Sequence, residues 1–115
     1  VTAAWAQASI PDDEVRESNT KGMVTFAMAG PNTRTTQIFI NLKDNLFLDS
    51  QGFAPVGTVR SMKNVDKLWV GYGEARSMGG LGPEQDQLME KGNAYLEADF
   101  PKLDQILRAT ISARR

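Results

Sequence analysis

Phe26-Ala27-Met28-Ala29-Gly30-Pro31-Asn32-Thr33, followed three residues later by Gln37-Ile38-Phe39-Ile40, is the stretch on which the fold of this chain turns. Its first part continues an alternation that begins at Met23. Met23, Thr25 and Ala27 fall on one side, and Val24, Phe26 and Met28 on the other. Both sides are largely apolar, the pattern of a buried strand. Ala29 to Thr33 then breaks the run with strong turn chemistry. Thr36 to Leu42 is the clearest strand in the sequence. Gln37, Phe39 and Asn41 share one face, and Ile38, Ile40 and Leu42 the other. A strand that serves only a core seldom flanks a central Phe with Gln and Asn. That face is therefore expected to look into a half-wet site.

Working outward, residues 1–9 are Ala-rich and suit a helix end or a loop. Ile10 to Glu14 reads as a turn, since Pro11 pushes the residue before it out of helical space. Asp12, Asp13 and Glu14 are expected to be solvated there. The polar segment up to Lys21-Gly22 is expected to be irregular. Downstream, Lys43 to Gly52 is a loop with one apolar knot, Leu46-Phe47-Leu48, and Ala54 to Arg60 reads as a short strand. The period then changes. Met62, Val65, Leu68, Trp69 and Tyr72 form an amphipathic stripe, with Ser61 as N-cap and Gly71 and Gly73 at the end. The Gly-rich Arg76 to Pro83 lacks the spacing and the Lys-Ser/Thr of a phosphate loop, and reads as a turn. Pro83 opens a second helix through Leu88, Met89, Tyr95 and Leu96, with Gly92 as its weak spot and Pro101 beyond its end. Leu103 to Ile111 reads as a last strand carrying Ile106, Leu107, Ala109 and Ile111.

Composition narrows the chemistry. The 115 residues include 13 Lys+Arg and 14 Asp+Glu, for a formal charge of −1. That balance leaves no basic footprint for nucleic acid. Cys and His are both absent. No disulfide framework, thiolate nucleophile, imidazole base or zinc-thiolate site can be built. No acidic pair is spaced for acid–base or metal work, and no cofactor is expected. No apolar run approaches the roughly 20 residues of a membrane helix. Nothing near Val1 reads as a signal peptide. The cytoplasm is the favoured compartment, with a periplasmic or organellar one left open. Four strands not spaced as βαβ units point to an antiparallel, mainly β fold with two helices. Four strands are too few to close a barrel, for which about eight are usual.

The stretch quoted at the outset resembles the signature of cyclophilin-type peptidyl-prolyl isomerases. The family pattern is an Ala-Gly-Pro-Asn-Thr turn, three residues, then Gln-Phe-Phe-Ile; Ile38 replaces its first Phe. Phe47-Leu48-Asp49 is similar to the family's Trp-Leu-Asp element, and Val56-Gly57-Thr58-Val59 to its Phe-Gly-x-Val strand. Met62 to Val65 falls where a capping helix begins. The resemblance runs from about Lys21 to Trp69 and returns at the last strand. Residues 74–101 read as an insertion with an extra helix.

The resemblance implies a cyclophilin-like antiparallel β-barrel with two peripheral helices and catalysis of X-Pro cis–trans isomerisation. The barrier to be lowered is about 18–20 kcal/mol of amide double-bond character. By the same resemblance, Phe39 walls the proline pocket and Gln37 hydrogen-bonds the substrate backbone. Ala27 and Met28 line the groove, Met28 standing where Asn is usual. Phe47 stands where Trp is usual, and Leu48 forms a second wall. Phe53 falls near the family's pocket His after a one-residue insertion. The family's Phe-His-Arg and Gln-Gly-Gly-Asp motifs have no counterpart in residues 1–22, and neither Arg16 nor Arg34 has their context. Residues 1–115 are thus expected to be a single partial domain, with the first strands and the catalytic Arg supplied by a missing N-terminal segment, which could be a second fragment. The expected partners are proline-containing peptides or proteins. The alternative function is a non-catalytic proline-peptide binding or scaffold module of a larger assembly.

Overall fold

Strand-forming residues at 23–28 gain partners on both sides, and so become the centre of a sheet. A computed structural model describes residues 3–113. Strand β1 (Met23–Phe26) lies between β2 (Ile38–Ile40) and β3 (Pro55–Thr58), antiparallel to both. Thr25 opposes Phe39, while Val24 opposes Ile40 and Phe26 opposes Ile38. Opposed residues share a face, so Thr25 and Phe39 lie on one side of the sheet and the four apolar partners on the other. The register shifts between Val24 and Thr25 on the β3 side, a local bulge.

Contrary to expectation, the described residues are not mainly β, and they show a small open sheet rather than a barrel. The sheet has three strands and stays open, with β2 and β3 as its edges. Short helices accompany it: α1 (Ala3–Ala6), α2 (Met62–Val65), α3 (Gln85–Lys91) and α4 (Asn93–Asp99). The segment Leu103–Ile111, read as a last strand, has no strand structure, and Ile106, Leu107 and Ile111 are exposed. Alternating apolar residues specify a strand only where a neighbour supplies the ladder bonds. Amides of residues 105–113 are expected to exchange with solvent at the rate of an unstructured peptide, read by NMR, while those of Thr25 and Asn41 stay protected.

Two compact units divide between Asp66 and Lys67. This boundary cuts the expected helix at 62–72. Only the turn Met62–Val65 is helical, Asp66 donating its N–H to the Met62 carbonyl at 2.8 Å. Ser61 does stand at the N-cap, but its hydroxyl makes no capping bond. Met62 and Val65 are half-buried on this turn, but Leu68 and Trp69, the next residues of the stripe, fall beyond the unit boundary, and a single turn has little reason to propagate.

In the unit from Lys67 onward, the aromatic residues of the stripe form a cluster instead. Phe100 is buried, edge-on to Tyr72 at 5.1 Å and to Tyr95 at 5.4 Å. The Tyr95 hydroxyl accepts the Glu84 N–H at 3.1 Å. The second expected helix is split at Gly92 (φ 58°, ψ −138°), the position flagged as weak. The Gly-rich turn folds back on Glu74: a Cβ on Gly82 would stand 2.7 Å from that carbonyl, so the backbone approach requires glycine.

The unit up to Asp66 is centred on polar side chains. Asn19, Thr25 and Asn41 are its largest fully buried side chains. Thr25 Oγ1 donates to Asn19 Oδ1 at 2.8 Å, and Asn41 Nδ2 donates to the same oxygen at 3.3 Å and to the Met23 carbonyl at 3.1 Å. Asn45 Nδ2 closes the chain on Asn41 Oδ1 at 2.8 Å.

A second polar anchor ties the upstream segment to the β1–β2 turn. Arg34 is 2% exposed. Its guanidinium bonds the Pro11 carbonyl and Asp13 Oδ2 (3.1 Å), stands 3.5 Å from Asp12, and faces the Phe26 ring at 5.9 Å. Asp12 and Asn32 exchange N–H to side-chain oxygen bonds of 2.9 Å. Asp12 and Asp13 are exposed to solvent, as expected, and are also partners of a buried cation. Glu14 lies at the surface, beside Arg16. Replacing Thr25 by Val removes one buried hydrogen bond at nearly constant shape. Urea unfolding is expected to show a loss of about 1 kcal/mol.

Candidate functional site

Between Asn41 and Phe53 the chain leaves the sheet, makes a 3-10 turn at Leu46–Gln51 and returns beside β2. Leu48 N–H donates to the Asn45 carbonyl at 3.0 Å. Gly52, at φ 86°, reverses the backbone, and Phe53 N–H then donates to the Leu48 carbonyl at 3.2 Å. That reversal brings the Phe53 ring edge-on to Phe39, centroids 6.0 Å apart at 69°. The terminal methyl of Met28 lies over Gly52, where an added Cβ would sit 3.5 Å from it. Phe53 thus meets Phe39, and its neighbour Gly52 meets Met28.

The other sequence-derived residues take different places. Ala27 is half-buried and extends the ladder, its N–H donating to the Gln37 carbonyl at 3.0 Å. Gln37 is exposed beside it, with its side chain in solvent. Leu48 is half-buried in the 3-10 turn, whereas Phe47 is 62% exposed. Asn41 departs from the expected half-wet face. It shares the side of Phe39 but is sealed in the polar centre, because its amide is needed to satisfy the Met23 carbonyl and Asn19.

Two residues beneath the site escaped the sequence reading. Asn19 Nδ2 donates to Asp49 Oδ1 and to the Phe53 carbonyl, both at 2.8 Å, and the Asn19 N–H donates to Asp49 at 2.9 Å. Asn19 sits in a polar stretch with no periodicity, and nothing local marks it. Asp49 had a signal, as the last member of Phe47-Leu48-Asp49, but its partner is 30 residues away.

Asp49 is held below the usual carboxylate range, chiefly by the Asn19 side-chain amide, then by the Asn19 backbone N–H; burial opposes this, and Ser18 adds a smaller bond. A carboxylate with a depressed folded value stabilises the fold above its unfolded value, and that contribution fades as pH falls through the folded value. Asp49→Asn keeps an oxygen acceptor but cannot titrate. Melting temperature between about pH 5 and about pH 2 is therefore expected to fall less steeply in Asp49→Asn than in the parent chain.

A family model described as cyclophilin type peptidyl-prolyl cis-trans isomerase/CLD matches residues 2–78. The chain belongs to this family. Searches of curated proteins and of solved structures return no significant match. The cyclophilin match contains every residue of the site just described and ends at Met78, before α3 and α4. The expected return of the resemblance over the last strand lies outside it. Among the described residues, no helix is long and apolar enough to cross a membrane, and no group of three or more acidic side chains is placed to hold a metal ion.

Proposed function

We propose that this cyclophilin-family chain binds proline-containing peptides against Phe39, and that it serves peptidyl-prolyl cis–trans isomerisation. The reading is carried by the contact of Phe39 with Phe53 within the matched segment, with the Met28 methyl over the neighbouring Gly52. Two aromatic faces and a thioether methyl suit a proline ring, which is apolar and has no N–H to satisfy. Gln37, exposed at the start of β2, supplies an amide able to bond the substrate backbone. Phe47 and Leu48 extend the wall from the 3-10 turn, and Ala27 leaves room for the flanking chain.

Rotation about the X-Pro bond needs no covalent step. It needs a donor toward the prolyl nitrogen, whose lone pair is released as the amide twists, so that the twisted state is bound better than the planar one. Arg34 does not meet this need, since its guanidinium is buried on Asp12, Asp13 and the Pro11 carbonyl. We assign the donor to an arginine-bearing segment, joined to this chain or added as a second fragment, and regard residues 1–115 as a partial domain. The sequestered Arg34 also favours the second reading, a module that holds a proline peptide without turning it over.

A protease-coupled prolyl-peptide assay and peptide titration separate these readings. Binding by the chain, with turnover gained when the arginine-bearing segment is present, supports the isomerase; binding with no turnover in either state supports the module. Phe39→Ala is expected to weaken peptide binding by about 2 kcal/mol, near thirtyfold, from lost aromatic burial, with the sheet intact by circular dichroism. Unchanged affinity in that variant would remove Phe39 from the pocket.

A further inference from the structure

We infer that Asn19 is a positioning residue for the peptide site, setting the Phe53 wall at its distance from Phe39. Its effect on peptide affinity rests on the binding role proposed above; its effect on the two rings does not.

A side-chain amide offers two N–H donors and two acceptor lone pairs. All four are used at Asn19. The oxygen faces the sheet side, accepting from Thr25 Oγ1 on β1 and from Asn41 Nδ2 just beyond β2. The nitrogen faces the loop, donating to Asp49 and to the Phe53 carbonyl. One fully buried side chain therefore joins the sheet that carries Phe39 to Asp49 within the 3-10 turn and to Phe53 just beyond it. The Asn19 backbone strengthens the link, its N–H donating to Asp49 and its carbonyl accepting from Asn45 at 2.8 Å. The rings alone cannot hold this geometry, since an edge contact at 6.0 Å is weak and tolerant of sliding. Directional bonds to a buried amide are not tolerant, because each one lost leaves an unpaired polar group.

The near-isosteric Asn19→Asp isolates this role. It keeps the oxygen for Thr25 and Asn41, but sets a second oxygen against the Asp49 carboxylate and the Phe53 carbonyl. The loop should be released while the sheet persists. The isotope-labelled chain and its Asn19→Asp variant are to be compared by NMR. The readouts are the Phe39–Phe53 ring cross-peaks and titration with an Ala-Ala-Pro-Phe peptide, at a temperature where β1 and β2 shifts match the parent. Loss of the ring cross-peaks with an affinity drop of about tenfold or more is expected, as for a displaced pocket wall. If Asn19→Asp cannot be purified folded, Asn19→Ser, whose single shorter hydroxyl cannot replace both amide N–H donors, carries the same comparison.

Intact cross-peaks overturn the positioning role, whatever the affinity. Lost cross-peaks with affinity within about twofold of the parent overturn its link to binding. If the parent itself does not bind the peptide, the proposed function fails, and the cross-peaks alone decide whether Asn19 sets the rings.

Discussion

One buried amide holds the sheet-containing unit together. Asn19 lies where an apolar side chain would ordinarily fill the centre of a small sheet, and Thr25 and Asn41 lie beside it. A three-stranded sheet with a single turn over it can bury little apolar surface, so directional bonds carry an unusual share of its order. Such a centre is stable only when fully satisfied, since each unpaired group in a low-dielectric interior is costly. Asn19 meets that condition with every donor and acceptor engaged. In return the 3-10 turn acquires a defined height over β2, which apolar contacts of this size would not specify.

Arg34 imposes the second constraint. A cation at this depth requires compensation, and Asp12, Asp13, the Pro11 carbonyl and the Phe26 face supply it. The same pairing fastens residues 10–13 to the turn between β1 and β2. It also keeps this guanidinium away from solvent, on the Asp12 and Asp13 carboxylates and the Pro11 carbonyl.

The open sheet accounts for the exposure pattern. Ile38, Leu42 and Val56 are more than half exposed, although their alternation is that of core residues. One face of the three short strands is covered by the 3-10 turn and the polar centre, while on the other Val24, Phe26 and Ile40 are only half-buried. The unit beyond Lys67 uses a different device: a cluster of Tyr72, Tyr95 and Phe100, with the Lys102 ammonium 4.9 Å over Trp69 and the Trp69 N–H donating to Asp104. It lies mostly outside the cyclophilin match, which ends at Met78.

Local sequence was sufficient for β1, β2, β3 and the turn at Gly30-Pro31-Asn32-Thr33, because alternation, proline geometry and glycine freedom act over a few residues. It was sufficient for the break at Gly92 and for the motif that marks the family. It could not settle Leu103–Ile111, since a strand exists only with a partner, nor the helix at 62–72, since the chain changes unit at Asp66 within its stripe. Asn41 looked like part of a wet face until Asn19 and the Met23 carbonyl claimed its amide. Above all, nothing near Asn19 announced its role. Its four partners lie 6 to 34 residues away. Hydrogen bonds at that separation depend on where the folded backbone places each group, so only the tertiary structure could make this asparagine the centre.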